Sequence, residues 1–182
     1  MHPNGTVERI CAATEEVFST MLGMEVQAGD PYVETTASPS SEGVVALIGL
    51  AGQWAGTASL TCSAPFACRI ASQMLMMQAP AVDGEVLDAV AEVANMVVGN
   101  VKTGLEQELG PMGMSIPTII FGKNFSARSA GSEEWLTVPF ACEGERVEVK
   151  FCLIPNRGGR PVPGTSYALQ GIACNNPAAR RS

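Results

Sequence analysis

Residues 83–106 read DGEVLDAVAEVANMVVGNVKTGLE, and this stretch decides the fold. On a helical wheel at about 100° per residue, its apolar residues fall in one arc, which is predicted to face the core. The members of this arc are Leu87, Val90, Ala91, Ala94, Val97, Val98, Val101 and Leu105. The sequence predicts a long helix from about Asp83 to Leu109, because Gly110-Pro111 stops it firmly.

A second arc of the same helix forms a polar line, with steps of four, three, four, three and four residues. Its members are Asp88, Glu92, Asn95, Gly99, Lys102 and Glu106. Glu92 and Asn95 are one turn apart, so a carboxylate that can bind a cation lies beside an amide that can hold a water. A glycine inside a helix, such as Gly99, destabilises the helix by about 1 kcal/mol relative to alanine. This loss is reasonable where another molecule must approach the helix closely. The wheel alone leaves a second interpretation open, in which this line is an ordinary solvated face.

The rest of the chain alternates helical and strand patterns. Two further helices are predicted, one over residues 6–22 ended by Gly23 and one from an N-cap at Ser63 to about Met77. Strands are predicted at 44–50, 54–62, 116–121, 135–140 and 147–153, with one possible edge strand near 32–36. This order indicates an α+β fold, an antiparallel or mixed sheet with long helices packed on one face.

Composition excludes several classes of function. The chain has 182 residues, a net charge of −7 and only 11 basic residues, which argues against a nucleic-acid partner. No apolar run is long enough for a membrane span and no secretory signal is visible, so we expect no membrane association and a cytoplasmic location. The only histidine is His2, and no phosphate-binding glycine loop occurs. No metal site is predicted.

The six cysteines, at positions 11, 62, 68, 142, 152 and 174, show no CxxC spacing and are interpreted as structural thiols. Residues 155–182 differ from the rest, with four arginines, four prolines and no acidic residue. We therefore divide the chain into a domain at 1–154 and a basic Pro/Gly-rich tail at 155–182, which composition predicts to be mostly disordered.

The run from Asp88 to Lys102, DAVAEVANMVVGNVK, resembles the signature helix of the CheX/CheC/FliY chemotaxis phosphatases, whose active sites carry Glu-x-x-Asn. The resemblance extends over about residues 6–154 and includes the 48–50 strand, the 64–77 helix and the segment Ser115-Ile-Pro-Thr118. The first helix has no Glu-x-x-Asn of its own, so the chain resembles the single-site CheX-like branch. The resemblance implies a CheC-like fold and a homodimer that joins its sheets.

The resemblance also implies an activity, the dephosphorylation of a CheY-like response-regulator receiver domain in chemotaxis or motility signalling. In that reading the catalytic residues are Asn95, which orients the attacking water, and Glu92, which pairs with the receiver lysine. Asp88, Gly99 and Lys102 are expected to contact the partner. The protein would need no cofactor of its own, because the receiver supplies Mg²⁺.

Three rival interpretations stay open at this stage. One is a non-catalytic receiver-binding or flagellar-switch-like module of the same fold, because fold alone does not fix function. Another is a regulatory domain for receivers outside chemotaxis. The third is a thiol-based redox sensor using Cys11, Cys62 or Cys68, which would need an exposed thiol with a low pKa.

Overall fold

The computed structural model describes residues 5–34, 41–125 and 134–156. Its helices are α1 (Thr6–Val17), continued by a π-helical segment (Phe18–Leu22), then α2 (Ala64–Leu75) and α3 (Gly84–Leu109). Its strands are β1 (Gln27–Ala28), β2 (Tyr32–Glu34), β3 (Ser41–Gly52), β4 (Trp54–Cys62), β5 (Met112–Met114), β6 (Thr118–Phe125), β7 (Trp135–Cys142) and β8 (Glu145–Pro155).

The helices begin and end close to the predicted residues, because side-chain caps and glycine set their limits. The Asp83 carboxylate accepts a hydrogen bond from the Val86 N–H at 3.0 Å at the start of α3. The Ser63 hydroxyl accepts one from the Phe66 N–H at 3.2 Å at the start of α2. Gly23 has φ of 62° and ends the first helical region, as predicted.

All the described strands form a single antiparallel sheet, in the order β1-β7-β8-β4-β3-β5, with β2 added to β7 and β6 added to β3. The predicted hairpin is confirmed as β3 and β4, which pair from Val44 with Cys62 to Leu50 with Gly56. Gly56 is required by close packing of backbones, since a Cβ there would lie 1.8 Å from the carbonyl oxygen of Cys152 in β8.

The core lies between one face of this sheet and the helices. In β8, Val147, Val149 and Phe151 are fully buried in the core, while the intervening Glu148 and Lys150 lie on the other face. α1 and α2 both pack against α3, and α3 packs against β3 and β4. The predicted α+β class, with helices on one face, is therefore confirmed.

The buried arc of α3 differs from the predicted one at its N-terminal half. Val86, Ala89 and Val93 are buried, although the wheel left them outside the core face. Leu87 and Ala91, assigned to the core, are partly exposed. The reason is that α1 and α2 pack against α3 in addition to the sheet. The buried arc of α3 is therefore turned towards those two helices.

The predicted first residue of the strand at 116–121 was wrong. β6 begins at Thr118, and the short strand β5 precedes it, so Ile116 and Pro117 lie between two strands. Pro117 has no N–H to donate to a neighbouring strand, which fits this position. β2 confirms the edge strand over residues 32–34, and residues 35–36 lie outside the described chain, as do residues 157–182 of the predicted tail.

Candidate functional site

The polar line of α3 lies on the side of the helix that the core does not cover. Asp88 and Glu92 are exposed, and Asn95, Gly99 and Lys102 are partly exposed. Because α3 is continuous from Gly84 to Leu109, helical geometry keeps these five residues on one line. The structure thus brings together every residue that the sequence proposed for the site.

Glu92 and Asn95 form the centre of this line, one turn apart. Within the described residues, neither side chain has a hydrogen-bond or ion-pair partner. A carboxylate has only acceptors, whereas a carboxamide offers a carbonyl acceptor and two N–H donors. The pair can therefore hold a cation and a water molecule from a partner placed against α3.

The C-terminal end of the line is tied to the sheet. The Lys102 ammonium forms an ion pair with Glu106 at 2.7 Å, and the same Glu106 oxygen accepts a hydrogen bond from the Met112 N–H at 2.9 Å. The hydrogen bond from Lys102, with that from Met112, lowers the pKa of the Glu106 carboxyl. Lys102, expected to contact a partner, is thus already engaged within the chain.

The helix glycines have different surroundings. A Cβ on Gly99 would meet only the Met114 sulfur, at 3.9 Å, which is an ordinary contact. Gly99 thus leaves a shallow, accessible stretch of helix backbone beside β5. Gly104 has a structural role, because a Cβ there would lie 3.0 Å from the Cδ of Arg9, which crosses α3 to pair with Glu108.

The flank formed by β5 and residues 115–117 was not among the residues predicted for the site, but it lies beside the polar line. The Met112 N–H donates to Glu106, the Met114 sulfur lies near Gly99, and Ile116 is 81% exposed. The Ile116-Pro117 pair could have indicated a break in the strand, because proline makes a regular continuation of a strand unfavourable.

No group of three or more His, Cys, Asp or Glu side chains in the described part of the chain could hold a metal ion. No helix among the described residues is long and apolar enough to cross a membrane.

Among the described thiols, Cys11, Cys62 and Cys68 do not have the surroundings that a redox sensor requires. Burial raises the pKa of Cys62 to about 12, and burial is also the main cause that raises the pKa of Cys11 and Cys68. Arg69, the one basic neighbour in sequence, pairs with Glu143 at 2.6 Å instead. These thiols are protonated at neutral pH, so the redox interpretation loses its chemical basis.

Comparison with known families decides the relationship. The family model described as chemotaxis phosphatase CheX matches residues 44–141, which is more than half of the chain and includes α3 with Glu92 and Asn95. The chain belongs to the CheX family. No curated protein sequence matches it significantly.

Solved CheX-family structures confirm the CheC-like fold. A CheC-like superfamily protein from Shewanella sp. PV-4 is 25% identical, with a TM-score of 0.75 over 84% of this chain and 99% of that chain. A CheX from Desulfovibrio desulfuricans is 27% identical, with a TM-score of 0.72 over 82% of this chain and 99% of that chain. A third similar structure is the CheX–CheY–BeF3–Mg²⁺ complex from Borrelia burgdorferi, 27% identical, with a TM-score of 0.68 over 81% and 97%.

Proposed function

We propose that this CheX-family chain is a phosphatase that hydrolyses the aspartyl phosphate of a CheY-like receiver domain in chemotaxis or motility signalling. The observation that carries the proposal is the Glu92–Asn95 pair on the uncovered side of α3, with Glu92 exposed, Asn95 partly exposed and neither side chain partnered among the described residues. The Borrelia burgdorferi relative, seen in complex with CheY, supports the choice of partner.

In the proposed reaction, Asn95 holds a water molecule in line with the phosphorus through its amide. The water oxygen bonds to phosphorus while the bond between phosphorus and the aspartate oxygen breaks, and inorganic phosphate takes up the protons of the water. Phosphoryl transfer needs alignment and charge neutralisation more than a strong base, so a carboxamide suffices for this role.

Glu92 has a docking role in this proposal. A carboxylate aimed at the phosphoryl group would repel it, so Glu92 reaches the receiver lysine beside the phosphate and forms a charge-assisted hydrogen bond. The receiver brings its own Mg²⁺, and this chain contributes no metal ligand. Asp88 and Gly99 lie on the same line and would contact the receiver at the rim.

The direct test is the decay of a phosphorylated receiver domain from the same genome. It is measured with the wild-type protein, with Asn95→Ala, with Asn100→Ala and with buffer alone. Asn100 is the matched control, because it is an exposed asparagine on α3 about 140° away from Asn95 on the wheel. We expect wild type and Asn100→Ala to accelerate decay and Asn95→Ala to leave it at the rate in buffer.

The rival function is a non-catalytic receiver-binding or flagellar-switch-like module. It predicts binding of the receiver with no change in decay for any of the proteins. Unchanged circular dichroism spectra and unfolding midpoints must accompany the result for Asn95→Ala, because the side chain lies on the surface. Full activity of Asn95→Ala would exclude the proposed role of that residue.

The oligomeric state and location follow as further parts of the proposal. Within the described chain, β6 pairs with β3 on one side only and carries Phe121, which is 51% exposed. This edge is suited to joining the sheets of a homodimer, which light scattering of wild type and Phe121→Lys would test. A cytoplasmic location is part of the proposal, because the proposed substrate is a receiver domain of chemotaxis or motility signalling.

A further inference from the structure

The segment 115–117 interrupts the sheet between β5 and β6, two strands that both contact α3. Leu50 pairs with Met114 and Leu47 pairs with Thr118, so three residues of this segment face two residues of β3. One extra residue in one strand is a β-bulge, a device that is common next to active sites. The bulge separates β5 from β6 and presents Ile116 to solvent, with 81% of its surface exposed.

Hydrogen bonds hold this bulge in one conformation. The Ser115 N–H donates to the Gly49 carbonyl at 2.9 Å, and the Ser115 hydroxyl accepts from the Gly49 N–H at 2.8 Å. The same hydroxyl donates to the carbonyl of Ile116 at 2.9 Å. Pro117 restricts the backbone of the residue before it to extended conformations. Ile116 is therefore held in place on the surface.

The position of the bulge along α3 follows from two contacts. Met112 hydrogen-bonds to Glu106, and Met114 lies beside Gly99, so β5 runs antiparallel to α3. Ile116 is two residues beyond Met114, a distance of about 7 Å in an extended chain. About 7 Å corresponds to four or five residues of helix, which brings Ile116 to the level of Asn95.

The face of the sheet on which the bulge lies follows from the neighbouring residues. Met112 and Met114 both face the helix side, where they pack against the core. Ser115 bonds to Gly49 and Thr118 pairs with Leu47, so residues 116 and 117 of the bulge both lie opposite Ile48, which is buried on the helix side of β3. The estimated level along α3 and the position opposite Ile48 together bring an exposed apolar side chain towards a polar pair that has no partner within the described chain.

We infer that Ile116 is a docking residue for the phosphorylated receiver and packs against apolar surface beside its phosphorylated aspartate. This inference rests on the proposed function, because the receiver is the occupant that brings a surface to α3. Glu92 and Asn95 supply directional polar contacts, and Ile116 supplies apolar area that does not depend on the charge of the phosphate. Its position beside the reacting groups makes it part of the same interface.

The test separates docking from chemistry by steady-state kinetics of receiver dephosphorylation. Ile116→Ala should raise KM for the phosphorylated receiver about tenfold, equivalent to about 1.4 kcal/mol, and change kcat by less than about twofold. Ile116→Leu should restore KM, since it restores the apolar surface. The control is Val33→Ala, which removes a 53% exposed β-branched side chain from β2, at the opposite edge of the sheet, and should leave KM unchanged.

Each alternative outcome is recognisable. If wild type accelerates decay and Ile116→Ala has the KM of wild type, the inference is wrong and the proposed phosphatase stands. If Ile116→Ala lowers the oligomeric state in light scattering without changing KM, the segment contacts a second copy of the chain instead. If wild type neither binds nor dephosphorylates receivers, the proposed function fails and this inference fails with it.

Discussion

The carboxylate of Glu106 accepts a hydrogen bond from the Met112 N–H at 2.9 Å while it pairs with Lys102 at 2.7 Å. This one side chain joins the end of α3 to the start of β5, across the turn at Gly110-Pro111. It thereby fixes the position of β5, and of the bulge that follows it, relative to the polar line. Glu106 lies about 20 Å along the helix from Glu92, at the opposite end of the polar line.

Replacement of Glu106 by alanine should loosen β5 without unfolding the domain. The Met112 N–H would lose its acceptor, so its amide hydrogen should exchange faster with solvent, as measured by NMR or mass spectrometry. Glu108→Ala is the matched control, because it removes a carboxylate that pairs with Arg9 and has no bond to β5. Equal protection of Met112 in wild type and Glu106→Ala would contradict the role assigned to this contact.

Glu92→Ala should weaken receiver binding and leave the fold intact. The carboxylate is exposed and has no partner within the described residues, so its removal breaks no internal bond. Loss of a charge-assisted hydrogen bond should raise the Kd for the receiver about tenfold or more, measured by calorimetry. Glu15→Ala, an exposed carboxylate on α1, removes the same charge elsewhere. A similar loss of affinity in both variants would indicate a general charge effect instead.

Gly99→Ala should separate stability from function. Alanine improves helix propensity by about 1 kcal/mol, and the new Cβ makes only an ordinary contact with Met114 at 3.9 Å. The urea midpoint should therefore rise or stay the same, while KM for the receiver rises because the helix backbone is less accessible. A destabilised variant would contradict the expected gain in helix propensity, and an unchanged KM would show that close approach at Gly99 is unimportant.

Gly56→Ala provides the opposite comparison. There the new Cβ would lie 1.8 Å from the Cys152 carbonyl oxygen, so β4 and β8 would have to move apart. We expect a loss of at least about 3 kcal/mol in unfolding free energy, at the upper end of the usual cost of overpacking. Urea denaturation of both glycine variants measures the contrast.

The sequence was sufficient to predict α3 and its polar line because both depend on local periodicity and caps. Asp83, Gly110 and the regular spacing of valines define the helix without any knowledge of its neighbours. The β3–β4 hairpin could be predicted equally well from the sequence, since a short turn joins two apolar runs. The order of the strands in the sheet could not be read in this way, because it depends on contacts between distant segments.

The errors have tertiary causes. Val93 is buried because α1 and α2 as well as the sheet pack against α3, and a helical wheel does not record how many elements surround a helix. Ile116 looked like part of a strand because it is apolar and β-branched. Its exposure results from the bulge against β3, and a bulge is a property of the register between two strands. The contacts that join Lys102, Glu106 and Met112 likewise could not be predicted without the geometry of the turn after α3.

Cys62 should be unreactive in the native protein. Burial raises its pKa to about 12, so almost no thiolate is present at pH 8, and the thiolate is the reactive form. Cys62→Ala should leave the number of rapidly reacting thiols in native protein unchanged and cost about 1 kcal/mol of stability from lost packing. Rapid labelling of Cys62 before unfolding, detected by mass spectrometry, would restore the redox hypothesis.

The charged cluster on the other face of the sheet should make stability depend on pH. Glu148 lies 3.1 Å from Lys150 and 2.7 Å from Arg146, and Lys150 also reaches Glu34 at 3.2 Å. Burial by itself raises the pKa of Glu148, but the attraction of Lys150 and Arg146 outweighs it, so the pKa falls below its ordinary value of 4.5. Burial lowers the pKa of Lys150, but Glu148 and Glu34 outweigh it, so that pKa rises above 10.5.

The sign of the effect follows from these two directions. A depressed carboxyl pKa stabilises the folded state above pH 4.5, and this stabilisation is lost as the pH falls through the folded pKa. A raised lysine pKa stabilises it below pH 10.5, and this is lost as the pH rises through the folded value. Glu148→Gln should therefore be less stable than wild type by about 1 kcal/mol near neutral pH, between the values for exposed and buried pairs. In urea denaturation the difference should shrink below pH 4.5. A difference that stays constant down to the lowest pH at which the protein folds would mean that packing of the Glu148 side chain, and not its charge, stabilises this face.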